Sequence, residues 1–223
     1  MFDIILLDLD GTLTDPMEGI TRSVQYALEA VGCPEADNRK LTPFIGPPLR
    51  EQFAAWCGFD PEKDRDKIEF CVTKYRERFA RIGWRENEVL PGIPELLRDL
   101  KAEGKTLALA TSKPLEFAVK ILDHFDLSRY FDWIGGATMD GTRDTKQAVV
   151  EDVLRQLSVT EAGRARTVMV GDRCHDVIGG KGAGVVTVGV LFGYGSREEL
   201  ESYGADYIAE TVEDLKGLLL TGK

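Results

Sequence analysis

The chain has 223 residues, 43% of them hydrophobic, and a formal net charge of −10. That length and apolar content can bury one large core, or a large core and a small one. The acidic balance excludes sequence-independent binding to nucleic acid polymers or anionic membranes, both of which need an excess of Lys and Arg.

No apolar segment approaches the roughly 18 residues that span a bilayer, and the N-terminal region lacks a basic stretch followed by an apolar one. The expectation is a soluble, cytoplasmic protein, monomeric or a weak dimer. Cys33, Cys57, Cys71 and Cys174 show no CxxC spacing, so reduced thiols are expected rather than disulfides or a zinc site.

In chain order, Ile4 to Leu7 form a continuous apolar run that reads as a strand (3–8) buried on both faces,. It ends in two carboxylates, Asp8 and Asp10. Two unit charges about 4 Å apart repel by roughly 4 kcal/mol at an effective dielectric near 20, so a fold keeps them beside its interior only with a cation or a shared proton.

Residues 15–85 read as helices. "EGITRSVQYALEAVG" places Ile20, Val24, Ala27, Leu28 and Val31 on one face, "PLREQFAAWCG" and "DKIEFCVTKYRERFARIG" continue the pattern, and Gly32, Gly58 and Gly83 mark expected stops,. From residue 86 onward, short apolar runs at 105–111, 131–137, 165–172, 184–190 and 205–210 alternate with helical patterns at 93–103, 115–124, 146–157, 176–182, 196–203 and 211–220. Such alternation predicts an α/β fold, a doubly wound, Rossmann-like parallel sheet. The first strand belongs to that sheet, yet nearly a hundred residues separate it from the next, far more than one crossover requires. The expected organisation is a core of 1–14 and 86–223 with an α-helical domain, 15–85, inserted between, and a hinge where the two linkers cross.

In a doubly wound sheet ligands bind beyond the carboxyl ends of the strands. Those ends carry Asp8 and Asp10, then Thr111 and Ser112, then Lys146 opening the following helix, then Asp172 and Asp176 in "GDRCHD". Several carboxylates with one lysine leave excess negative charge, which a hard divalent cation such as Mg²⁺ would neutralise through oxygen ligands.

In this order the motifs resemble those of the haloacid dehalogenase superfamily: "DLDGTLTD" (8–15) is similar to its DxDGT signature, "LATSK" (109–113) to its strand ending in Thr or Ser, Lys146 in "DTKQAVVEDVL" to its lysine, and "GDRCHD" (171–176) to its GDxxxD motif. A helical insertion after the first motif resembles the cap of the subgroup that includes phosphoglycolate phosphatases, as does "FIGPPL" (44–49). The resemblance implies a Mg²⁺-dependent phosphatase acting on a small phosphorylated metabolite. Asp8 would be the nucleophile that forms an aspartyl-phosphate and Asp10 the general acid and base. Thr111, Ser112 and Lys146 would hold the phosphoryl oxygens. The metal would sit on Asp8, Asp172, Asp176 and the backbone carbonyl of Asp10. Phosphoglycolate is the first expectation for the substrate, with a 5′-nucleotidase or broad phosphomonoesterase as the alternative. A β-phosphoglucomutase-like phosphotransferase or a non-catalytic sensor of phosphometabolites stands further off. Arg50, after "GPPL" at the start of a cap helix, could pair with a substrate carboxylate, as phosphoglycolate would present.

Other features have blander readings. "GGKGAG" (179–184) lacks the spacing of a phosphate loop, and its glycines are expected to let a helix end pack on the next strand,. His175, inside the metal motif, is expected to face away from the ion, and His124 to end a helix. Trp56, Phe70 and Tyr75 at helical spacing read as cap core,.

Overall fold

The computed structural model describes residues 1–139 and 142–221. The chain divides into two compact units, one made of Met1–Asp15 with Val89 onward, the other of Pro16–Glu88.

The first unit is built on a six-stranded, all-parallel sheet: β1 (Ile4–Leu7), β4 (Thr106–Pro114), β5 (Trp133–Ala137), β6 (Thr167–Gly171), β7 (Val186–Val190) and β8 (Tyr207–Ala209), in spatial order β5-β4-β1-β6-β7-β8. Two further short strands, β2 (Thr14–Asp15) and β3 (Glu88–Val89), lie where the chain leaves and returns. There the Leu90 N–H donates to the Leu13 carbonyl at 3.0 Å, so exit and return run side by side. The helices of this unit are α4 (Ile93–Ala102), α5 (Leu115–His124), α6 (Lys146–Gln156), α7 (Glu161–Arg164), α8 (Cys174–Gly182), α9 (Arg197–Ser202) and α10 (Val212–Thr221). Against one face of the sheet, Leu6, Ala108, Ala110 and Met169 meet Val149, Val150, Val153 and Leu154 of α6. Because the sheet grows outward on both sides of β1, the crevice between diverging connections opens beyond its carboxyl end.

The periodicities find the six strands and six of these helices. The four-residue α7 is too short to show a period, and its start is set instead by Thr160, whose hydroxyl accepts from the Gly163 N–H. Helix α8 begins at Cys174, two residues before its expected start, because the Asp176 carboxylate accepts from the Arg173 N–H at 3.0 Å and organises the first turn from inside the helix,. Strand β4 runs three residues past its expected end, through a bulge described below.

The second unit contains α1 (Met17–Ala30), α2 (Leu49–Cys57) and α3 (Arg65–Arg81), with a 3₁₀ turn at Asn38–Phe44 that helical periodicity does not reveal. Its core gathers Leu28, Leu41, Phe44, Ile45 and Phe53, with the Phe44 and Phe53 rings edge to face at 5.0 Å. Gly32 and Gly58 take the left-handed φ that ends a helix,. Gly83 does not: α3 ends at Arg81, and Gly83 instead lets the chain approach α1, where a Cβ on Gly19 would lie 2.0 Å from the Gly83 carbonyl oxygen. Gly19 seals the approach by donating its N–H to the Glu86 carbonyl at 3.0 Å.

Of the three aromatic residues expected in this core, only Tyr75 is there, stacked on Phe79 at 5.4 Å. Phe70 is 44% exposed and Trp56 36%. The buried stripe of α3 is Ile68, Cys71, Val72, Tyr75 and Phe79, and Phe70, two residues from both Ile68 and Val72, points away from it at about 100° per residue. All four cysteines are free. Among the described residues no helix is long and apolar enough to cross a membrane.

The Gly19 and Gly83 approach makes a stability prediction. Gly19→Ala forces the two backbone segments apart and should destabilise the helical unit by about 1–3 kcal/mol, read as a lower urea midpoint; an unchanged midpoint would show that the segments tolerate a side chain between them.

Candidate active site

The site assembles at the carboxyl ends of β1, β4 and β6. Asp8 directly follows β1, and its N–H donates to the Val170 carbonyl at 2.9 Å, extending the ladder with β6 as far as the carboxylate. The chain then turns sharply: Gly11 has φ +79°, and the N–H groups of Leu13 and Thr14 both donate to the Leu9 carbonyl. Only glycine fits at position 11, since a Cβ there would lie 2.1 Å from Oδ2 of Asp172,.

Lys146 is the first residue of α6, whose N-cap Thr145 accepts from the Ala148 N–H at 3.2 Å. Its buried ammonium reaches Oδ1 of Asp8 at 2.7 Å, Oδ1 of Asp176 at 2.8 Å and the Ala110 carbonyl at 3.0 Å. All three of its protons are thereby directed. Burial by itself would lower its pKa, but the two carboxylates overcome this and hold it above the ordinary lysine value,. Two glycines make the approach possible. A Cβ on Gly171 would meet the Asp176 carboxyl carbon at 2.0 Å, and one on Gly179 would meet Cγ of Lys146 at 2.5 Å. Gly179 belongs to "GGKGAG", where Gly180 does pack against β6 and β7 as expected, through Met169 and Thr187.

Oxygens of Asp8, Asp172 and Asp176 lie within 4.8 Å of one another. Oδ2 of Asp172 accepts from the Tyr194 N–H at 2.7 Å, while its Oδ1 is buried without a hydrogen-bond partner. Burial, and then the neighbouring Asp176, push the Asp172 carboxyl well above the usual carboxylate range; burial also raises Asp176, against the pull of Lys146. An all-oxygen donor set, crowded, buried and with one oxygen unsatisfied, fits a hard divalent cation. His175 is not part of this group.

The Asp10 carboxylate stands apart from the three. Its Oδ2 pairs with the ammonium of buried Lys113 at 2.7 Å, and its Oδ1 is buried without a hydrogen-bond partner. Burial raises its pKa, opposed by Lys113. Lys113 arrives there through the bulge: Thr111 pairs with Gly136, but the next paired residue is Pro114, opposite Ala137. The buried Thr111 hydroxyl accepts from the Lys113 N–H at 3.2 Å, and Ser112 sits half-buried between them. Gly136 gives the bulge room, since a Cβ there would lie 2.9 Å from the Lys113 carbonyl oxygen.

Thus Asp8, Asp10, Thr111, Ser112, Lys146, Asp172 and Asp176 stand at one end of the sheet. Arg50 belongs to the helical unit, where its guanidinium makes a two-point pair with Glu69, Nε to Oε1 at 2.5 Å and Nη2 to Oε2 at 3.0 Å. Two contributors were not foreseen. Lys113 lies inside the quoted "LATSK", but a lysine after a strand reads as solvated. The loop after β7 also went unread: Tyr194 braces Asp172 by its N–H and Asp15 by its hydroxyl, and a Cβ on Gly193 would meet the Gly11 carbonyl oxygen at 2.3 Å. The only signal was "GYG" between a strand and a helix.

Comparison with known proteins bears on this arrangement. Residues 5–190 match the family model of haloacid dehalogenase-like hydrolases. A 5′-nucleotidase from Pseudomonas aeruginosa is 45% identical over 216 residues, which cover 96% of this chain and 94% of the nucleotidase. Tyrosine-protein kinase PtkA of Mycobacterium tuberculosis is 37% identical over 97% of this chain and 72% of the kinase. Among solved structures, a predicted phosphatase from Clostridium acetobutylicum is similar with a TM-score of 0.92 at 40% identity, over 99% of each chain.

Four carboxylates against two ammonium groups predict cation-dependent stability. Mg²⁺ should raise the thermal midpoint, by about 2.7 kcal/mol of stabilisation at a hundredfold excess over its Kd, and Asp172→Asn should remove most of that rise. A midpoint indifferent to Mg²⁺ in the unmutated protein would overturn the assignment of a cation site.

Proposed function

Because the chain belongs to the haloacid dehalogenase-like hydrolase family and is a phosphatase of it, we propose that it is a Mg²⁺-dependent phosphomonoesterase working through an aspartyl-phosphate on Asp8, with 5′-nucleotides as its substrate class. The observation that carries the chemistry is the division of the two neighbouring aspartates: Asp8 faces Lys146 and the metal carboxylates, while Asp10 is held separately by Lys113.

Asp8 attacks the phosphorus and the ester oxygen leaves, splitting one displacement into two. Asp10 gives its proton to the departing oxygen and then takes one from the water that hydrolyses the phospho-Asp8. Lys146 and the Thr111 hydroxyl, with Ser112 beside them, hold the phosphoryl oxygens and balance their charge. Asp8, Asp172, Asp176 and the backbone carbonyl of Asp10 would hold the cation. When bound, it supplies charge that offsets the repulsion between a carboxylate nucleophile and a phosphate dianion. The helical unit is read as the cap of the phosphatase subgroup that the sequence resembles.

Two observations support nucleotides over phosphoglycolate. Arg50, the cation expected to grip a substrate carboxylate, already has a carboxylate partner in Glu69. The Pseudomonas relative called a 5′-nucleotidase is similar over nearly the full length of both chains.

Asp8→Asn keeps the size of the side chain and removes the nucleophile, so turnover should vanish while the circular dichroism spectrum is retained; a folded variant that still turns over would remove Asp8 from this role. Substrate class is read from kcat/KM across nucleoside 5′-monophosphates, phosphoglycolate and p-nitrophenyl phosphate with Mg²⁺ present. Nucleotides should lead, and Arg50→Ala should change all three substrates alike. A selective loss on phosphoglycolate, by the roughly 10- to 150-fold of a charged hydrogen bond, would restore Arg50 as a carboxylate ligand.

A further inference from the structure

We infer that Lys113 is a positioning residue for proton transfer: it clamps Oδ2 of Asp10 and so makes Oδ1 the oxygen that carries the proton to and from the reacting groups. The inference rests on the proposed role of Asp10 as general acid and base. Without a clamp, a carboxyl group on a short side chain can rotate about its last bond and present either oxygen, so the fraction of time spent with a proton aimed at the leaving group falls. Here one oxygen is committed at 2.7 Å to a buried ammonium, and the other is buried with no hydrogen-bond partner.

The local structure is arranged around that contact. Strand β4 bulges between Thr111 and Pro114, against a single step on β5. A bulge re-aims the side chains it carries, and this one brings Lys113 to the end of β1. The Lys113 N–H also donates to the Thr111 hydroxyl, so the residue that orients the acid is tied through its own backbone to a residue that faces the phosphate. Gly136 on β5 admits the bulge, because a side chain there would run into the Lys113 carbonyl and the Leu115 backbone.

In the first half-reaction the proton on Oδ1 leaves with the alcohol. In the second, Oδ1 takes a proton from water as its oxygen attacks phosphorus, and inorganic phosphate departs. Lys113 keeps its own protons throughout. Its contribution therefore depends on how much the leaving group needs a proton: large for an alkyl or nucleoside oxygen, small for p-nitrophenolate, which departs without help.

The test measures kcat/KM of the full chain with Mg²⁺ on a nucleoside 5′-monophosphate and on p-nitrophenyl phosphate, for Lys113→Met, Lys113→Arg, Asp10→Asn and the Asp10→Asn/Lys113→Met pair. Lys113→Met should lose about 10- to 100-fold on the nucleotide, within the range of general acid catalysis, and less than about threefold on p-nitrophenyl phosphate. Lys113→Arg should recover most of the loss, and the double variant should be no worse than Asp10→Asn alone. Should methionine prevent folding, Lys113→Ser, polar but too short to reach Oδ2 of Asp10, should give the same selectivity. If Asp10→Asn discriminates between the leaving groups but the folded Lys113 variants lose activity equally on both, Lys113 is merely structural and the inference falls. If Asp10→Asn itself does not discriminate, the acid and base role of Asp10 fails, and the inference with it.

Discussion

The buried ammonium of Lys146 is the contact on which the rest of this site depends. It touches Asp8 at the end of β1, Ala110 in β4 and Asp176 in the helix that follows β6, so one positive charge joins three neighbouring strands where the carboxylates that follow two of them converge. Removing one member of such a group leaves an uncompensated buried charge, at a cost of about 3–5 kcal/mol. Several apparently unrelated features follow from it. Gly171 and Gly179 are bare because side chains there would occupy the space of Asp176 and Lys146. Helix α8 starts early because Asp176 serves the helix end with one oxygen and the lysine with the other.

The remaining carboxylates are fixed by different means, and the differences match different tasks. Asp10 is governed by a second lysine. Among the described residues no lysine pairs with Asp172, which is steadied by a backbone N–H from the loop after β7. One carboxylate between charges, one clamped at a single oxygen and one with a buried, unsatisfied oxygen are three electrostatic environments at one end of the sheet. In the proposed mechanism it is environment, more than residue type, that separates nucleophile from acid from ligand.

The sheet and the motif residues were legible because each depends on local signals: an apolar run, a polar residue at its end, and the order of those ends along the chain. What escaped was whatever depends on a neighbour distant in sequence. Lys113 could not be separated from a solvated lysine without the bulge that turns it, and the bulge is a property of β4 and β5 together. Gly179 and Gly193 matter only for the side chains and backbone packed against them. Phe70 was misplaced because an aromatic residue close to the right spacing on α3 still falls on the wrong side of the helix, and Arg50 was read without Glu69, nineteen residues on.

The side-by-side exit and return of the chain at Leu13 and Leu90 also sets a schedule for synthesis. Strand β1 lies at the centre of the sheet, yet it pairs with Thr106–Leu109 and Thr167–Val170, so once made it has no neighbour until about a hundred residues later. At a ribosomal pace of roughly 5–20 residues per second, it waits some 5–20 s for its first partner and longer for its second. Meanwhile the helical segment closes through contacts near in sequence, which form fastest. That early folding shortens the effective loop between β1 and β4, because ends already held together leave less chain entropy to lose. An insertion that interrupts the sheet in sequence thus helps the nascent chain to close it, and β1 is the last of the early elements to become safe from aggregation.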